Sequence, residues 1–170
     1  KKKSHLFKDT PFKIVSDLKN ITDVDYYKFL MSLPKMHFIQ NESFPKLVQY
    51  IEPNEAIDLK WKDRLQKLNK PVIALNWQGD RSFMFDKTRS IALSNFKNIL
   101  NLKKYAFISI QKGFGTEQIK KNKFENHLTD LSNVIDNGNN TFEDTIAILK
   151  NVECVITSDT SIAHLAGTLN

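Results

Sequence analysis

Val152-Glu153-Cys154-Val155-Ile156-Thr157-Ser158-Asp159-Thr160-Ser161-Ile162-Ala163-His164-Leu165-Ala166-Gly167 is the stretch on which the reading of this chain turns. A short apolar run, residues 152–157, reads as a strand. It meets small hydroxyl residues and then a second apolar stretch, 160–169, that reads as a helix. The first backbone N–H groups of a helix have no partner within it, and its dipole is positive at that end. A strand that runs into a hydroxyl-rich helix start therefore makes an anion site. Thr160 and Ser161 add hydroxyl donors. Asp159 is a natural cap for the helix. His164, four residues beyond Thr160, shares its face one turn deeper. Ala163, Ala166 and Gly167 are small enough for a helix pressed onto a sheet.

Working outward, the same alternation recurs upstream. Residues 72–77 read as a buried strand, 94–100 as a helix, 105–110 as a second strand, and 115–121 as a short helix. Residues 133–135 read as a brief third strand and 141–150 as a helix, with Thr141 as cap and Asp144 completing a variant capping box. Strands alternating with helices predict βαβ units in a parallel sheet, an α/β, Rossmann-like fold. Ligands of such sheets lie at the carboxyl ends of the strands. The first strand is followed by Gln78-Gly79-Asp80-Arg81, and Arg89 comes further along. The second is followed by Gln111-Lys112-Gly113-Phe114-Gly115, two glycines and a lysine in the manner of a phosphate-cradling loop. Neither loop matches the nucleoside-triphosphate P-loop or the full dinucleotide fingerprint. Together the three loops predict a phosphate-bearing ligand.

Before residue 70 the pattern is irregular. Residues 12–15 and 26–31 are candidate strands. A helix with Asn54 as N-cap is expected through Asn69, a connector whose Ile57, Trp61, Leu65 and Leu68 recur at helical spacing.

Composition bounds the function classes. The chain has 170 residues, 41% of them apolar, with a formal net charge of +6. That apolar share excludes wholesale disorder. The positive charge favours anionic partners. It is spread along the chain, without a recognition helix, zinc spacing or aromatic-interleaved basic strand, so nucleic acid is not the expected partner. The single cysteine, Cys154, allows no disulfide within the chain and reads as a small buried core residue. With no signal peptide or apolar run of about 18 residues, the expectation is a cytoplasmic protein without a transmembrane segment. The first residue is not Met and the last is Asn170, so the chain reads as a piece of a longer protein.

The motifs also resemble a known family. Ala74-Leu75-Asn76-Trp77-Gln78-Gly79 with Arg89-Ser90-Ile91, Ser109-Ile110-Gln111-Lys112-Gly113, Asp144-Thr145-Ile146-Ala147, and Ser158–Gly167 look, in this order, like a glycosyltransferase domain often found behind tetratricopeptide repeats. The Asp-Thr-x-x-x-His pattern is similar to that of bacterial heptosyltransferases; the tetratricopeptide-linked O-GlcNAc transferases are more distant. The resemblance covers residues 71–170, and more weakly 23–34. There are no tetratricopeptide repeats here.

The resemblance implies two Rossmann-like domains facing across a cleft, the GT-B arrangement. On that basis, residues 1–53 are the end of an N-terminal domain and 54–70 a connecting helix. Residues 71–170 are then most of the C-terminal nucleotide-sugar-binding domain, with the family's later elements beyond its end. Thr160, Ser161, Asp159 and His164 are implied to form the donor-diphosphate site. Arg89 and Lys112 would neutralise the leaving diphosphate, with Gln78, Gly79 and Gly113 lining the cleft. The implied reaction transfers a sugar from a nucleotide-diphosphate donor without a metal or other cofactor, to an acceptor (glycan, lipid or protein) that the sequence does not name. No catalytic base is assigned; Asp80 and Asp86 are the nearest carboxylates. The alternative is a non-catalytic Rossmann-like nucleotide-binding or scaffold domain. An exposed sheet edge would favour pairing with a second copy as a homodimer.

Overall fold

In a computed structural model, residues 19, 21, 22, 24–27, 29, 51–138 and 141–169 are described. Four parallel strands, β1 (Val72–Asn76), β2 (Ala106–Ser109), β3 (Thr129–Asp130) and β4 (Cys154–Thr157), form one sheet in the order β3-β2-β1-β4. The chain therefore steps outward from β1 to β3 and then crosses to the far side of β1. This is a Rossmann-like order whose switch point lies between β1 and β4.

Why the sheet is parallel and buried follows from β1. All five of its residues are buried, and successive side chains point to opposite faces. Val72 and Ala74 join one core with Ile108, Ile110, Ile135, Ile146, Ile148, Ile162 and Leu165. Ile73, Leu75 and Trp77 join a second core with Leu93, Phe96, Leu100, Phe107, Ile119 and Leu128. Helices cover both faces, as parallel sheets require. On the first lie α1 (Glu55–Gln66), α5 (Glu143–Lys150) and α6 (Ser161–Thr168). On the second, a 3-10 turn at Leu93–Phe96 runs into α3 (Lys97–Leu100), with α4 (Glu117–Lys121) beside it. A short helix α2 (Asp86–Arg89) lies in the loop after β1. Among the described residues no helix is long and apolar enough to cross a membrane.

Asn54 caps α1 as expected, its Oδ1 accepting from the N–H groups of Ala56 and Ile57. The helix expected as a connector buries Trp61 and Leu65 in the first core. The indole N–H of Trp61 donates to Asp144 on α5 at 2.6 Å, and Lys150 pairs with Asp58 at 3.0 Å.

Several expectations need correction. The third strand is Thr129–Asp130, not 133–135. Residues 131–135 form a turn in which the N–H groups of Val134 and Ile135 return to the Leu131 carbonyl. β3 is two polar, exposed residues on the sheet edge and carries no apolar signal, whereas Ile135 is apolar because it plugs the core. Thr141 does not cap α5. Asp136 does so from a distance, through the N–H groups of Asp144 and Thr145 and the Thr145 hydroxyl, while Asp144 accepts from the Asp136 N–H. The result is a capping box closed across a loop instead of within one turn. Thr160, not Asp159, caps α6. Cys154 is exposed, because β4 has β1 on one side only in the described sheet. The candidate strand at 12–15 lies outside the described residues, as does half of 26–31. Tyr26, Tyr27 and Phe29 of the latter are exposed and not in a strand.

Candidate functional site

The carboxyl ends of β1, β2 and β4 open into a cleft of about 510 Å³. β1 contributes Asn76 and its loop Gln78, Gly79, Asp80 and Arg89. β2 contributes Ile110, Gln111, Lys112, Gly113 and Phe114. From β4 and α6 come Thr160, Ser161 and Ile162, and Asp136, Phe142 and Thr145 close the floor. Of the residues expected from sequence, Arg89, Lys112, Thr160, Ser161, Gln78, Gly79 and Gly113 are brought together. Asp159 and His164 are exposed and are not among the lining residues; Asp159 enters through its carbonyl.

The loop after β1 folds back on itself. Ile91 N–H reaches the Trp77 carbonyl and Gly79 N–H reaches the Ser90 hydroxyl. This returns Arg89 to the strand end. Its Nε donates to Asp86 at 3.1 Å and its Nη1 to the Asp159 carbonyl at 3.1 Å, and its guanidinium lies 4.6 Å from the Phe83 ring centroid. Arg89 thus ties the β1 loop to the β4 loop. Gly79 permits this. A Cβ there would stand 2.5 Å from Arg89 Nη2 and 2.6 Å from Asp86 Oδ1, inside any tolerable contact. The glycine admits the cation-bearing pair to the backbone.

Lys112 is held differently. Its ammonium donates to the carbonyls of Ile135 and Asp136 and to Asn137 Oδ1 at 2.9 Å. These acceptors are neutral, whereas Arg89 is paired with the Asp86 carboxylate. Gly113 and Gly115 both adopt positive φ, +67° and +98°, which L-residues rarely do. They swing Phe114 outward, where Arg81 sits 4.9 Å above its ring and pairs with Glu117.

Sequence reasoning missed the centre of the site. Gln111 is 2% exposed. Its Oε1 accepts from Asn76 Nδ2 and from the N–H groups of Trp77 and Gln78, and its Nε2 donates to the carbonyls of Gln78 and Phe114. One carboxamide joins the first two loops. Asn76 extends the chain to Thr160, the cap of α6. Only position, a long polar amide directly after a buried strand, could have signalled this.

The carboxylates near the cleft are committed. Asp86 pairs with Arg89. Asp80 accepts from the Ser82 N–H, which holds its pKa below the usual carboxylate value. Burial pushes Asp136 up, against the hydrogen bonds from Thr145 and the Asp144 N–H that oppose the shift. The arrangement offers fixed cations, backbone donors and a helix start to an anion. Neither family models nor curated proteins nor solved structures give a match to the chain.

Proposed function

We propose that the cleft binds the diphosphate of a nucleotide sugar and that the chain is the donor-binding part of a GT-B-type glycosyltransferase. The observation that carries this reading is the meeting of Arg89, Lys112 and the start of α6 at the switch point of the sheet. Anionic ligands of open α/β sheets settle there. In this reading the departing nucleotide diphosphate is stabilised by Arg89, Lys112 and the α6 dipole, placed before the charge develops. The hydroxyl and N–H of Ser161 hold phosphate oxygens. Ile110, Phe142 and Ile162 give the cleft an apolar side on which a nucleoside can rest. The ordered motifs at 74–79, 89–91, 109–113 and 158–167 support the transferase class, and with it a metal-free reaction in the cytoplasm.

Calorimetric titration of the chain with UDP, ADP and GDP tests the reading. One nucleotide is expected to bind; Arg89→Ala is expected to weaken it about tenfold, the worth of one charge-assisted contact, and Lys112→Ala by less, since its three protons already meet Ile135, Asp136 and Asn137 and only its charge faces the ligand. No heat with any of the three would sink the donor-site reading.

A specific observation favours a second reading, a nucleotide-binding domain without turnover. Asp80, Asp86 and Asp136 are each engaged by neighbours, which leaves none of these three as a ready general base. That reading predicts the same binding without sugar release from a bound donor.

A further inference from the structure

A chain of polar side chains, buried at Gln111 and Asn76 and half-buried at Thr160, joins the three loops of the cleft, and backbone geometry fixes its polarity. The N–H groups of Trp77 and Gln78 lie 3.1 and 3.0 Å from one terminal atom of Gln111. A backbone N–H only donates, so that atom is the carbonyl oxygen. The Asn76 atom 3.0 Å from it is then the amide nitrogen. This turns Asn76 Oδ1 to the hydroxyls of Thr160, at 3.1 Å, and Thr157, at 3.3 Å. Thr157 has a nearer acceptor in the Ser158 carbonyl, at 2.9 Å. Thr160 itself has two side-chain neighbours, Asn76 Oδ1 at 3.1 Å and Thr157 Oγ1 at 3.4 Å, and the nearer takes its proton. The Thr160 oxygen in turn accepts from the Ile162 N–H at 3.4 Å.

A hydroxyl has one proton. In Thr160 that proton goes to Asn76 Oδ1 at the end of β1 and is not offered to a ligand. We infer that Thr160 is a positioning residue and not an anion ligand. With Asn76 and Gln111 it pins the start of α6 to the end of β1, so that the hydroxyl and N–H of Ser161 meet the anion. Asn76 and Gln111 are 5% and 2% exposed. Satisfied networks in such surroundings are stiff, and the same Gln111 carboxamide sets the Phe114 loop. The inference rests on the reading of the cleft as a nucleotide-diphosphate site, and its ligand-free part can be tested apart from it.

The test is a double-mutant cycle on Thr160→Val and Asn76→Ala, with Thr160→Ser as the conservative variant. Two quantities are measured: the urea midpoint and Ile162 amide exchange without ligand, and affinity for whichever of UDP, ADP or GDP binds. Each single variant is expected to weaken binding about tenfold. The double variant should lose about the same tenfold, and Thr160→Ser should keep near-normal affinity. Without ligand, Asn76→Ala should speed Ile162 exchange as Thr160→Val does. A hundredfold, additive loss in the double variant would make Thr160 a direct ligand and overturn the inference. If no nucleotide binds, the functional reading fails alone. The stability cycle then decides the positioning role, and additive midpoint shifts with Ile162 exchange unmoved by Asn76→Ala would overturn it. If Asn76→Ala does not fold, the chemical shift of the Asn76 side-chain carbonyl carbon in the otherwise unmodified chain decides the matter, because its oxygen accepts from Thr160. A shift on Thr160→Val that Thr160→Ser restores, and that nucleotide leaves in place, supports the inference; a carbonyl unaffected by Thr160→Val overturns it.

Discussion

At the scale of single residues, the cleft depends on a position with no side chain. Gly79 makes room for Arg89 and Asp86, and the guanidinium is then held from three sides. Gly79→Ala is expected to displace Arg89 while leaving the sheet intact. The crowding costs about 1–3 kcal/mol, read as a lower urea midpoint, with nucleotide affinity falling as far as in Arg89→Ala. Unchanged affinity would show that Arg89 does not depend on Gly79. Asp136 gives a second prediction. Its pKa is raised above the ordinary 3.8 by burial, so the folded state keeps this proton to higher pH than the unfolded chain. The group's contribution to stability is complete below that ordinary value and is lost as pH rises through the raised one. Asp136→Asn keeps an oxygen for the N–H groups of Asp144 and Thr145 and removes the titration. The stability of the variant relative to the parent should therefore grow as pH is raised across this window, measured by urea unfolding at several pH values. A constant difference would mean that Asp136 does not titrate there.

At the scale of elements, legibility followed the physics of each segment. β1 and β2 were readable because strands covered on both faces are nearly all apolar. β4 was readable from its apolar run, although its edge position leaves Cys154 in solvent. β3, short and polar, left no such trace. The cap of α1 was local and therefore visible, whereas the cap of α5 comes from Asp136 across a loop, and no window of sequence contains both partners as a pattern. The site followed the same rule. Loop residues with charge or glycine announced themselves, and Gln111 did not, because a buried amide has meaning only once its neighbours are assembled. Asn54→Ala should cost about 1 kcal/mol through the lost cap. Trp61→Phe should cost on the order of 2 kcal/mol, since it removes a hydrogen bond to a carboxylate and some packed area. Both are measured by equilibrium unfolding followed by circular dichroism. A negligible effect of Trp61→Phe would mean that the indole N–H contributes nothing to docking α1.

At the scale of the whole molecule, two cores share one sheet, and the cleft sits where the chain reverses direction across β1. A ligand that bridges the β1, β2 and β4 ends ties these parts together and should stabilise the fold by mass action. At a hundredfold excess over its Kd, the cognate nucleotide is expected to add about 2.7 kcal/mol, seen as a higher unfolding midpoint. No shift with a nucleotide that calorimetry shows to bind would place its site outside the folded cleft. The chain's only two tryptophans are both fully buried. Trp77 leads directly into the β1 loop, and Trp61 is bonded to the Asp144 that also holds the N–H of cleft-lining Asp136. The two indoles thus make a built-in optical gauge: one listens at the mouth of the cleft and the other at its floor, so occupancy can be followed by intrinsic emission without attaching any dye.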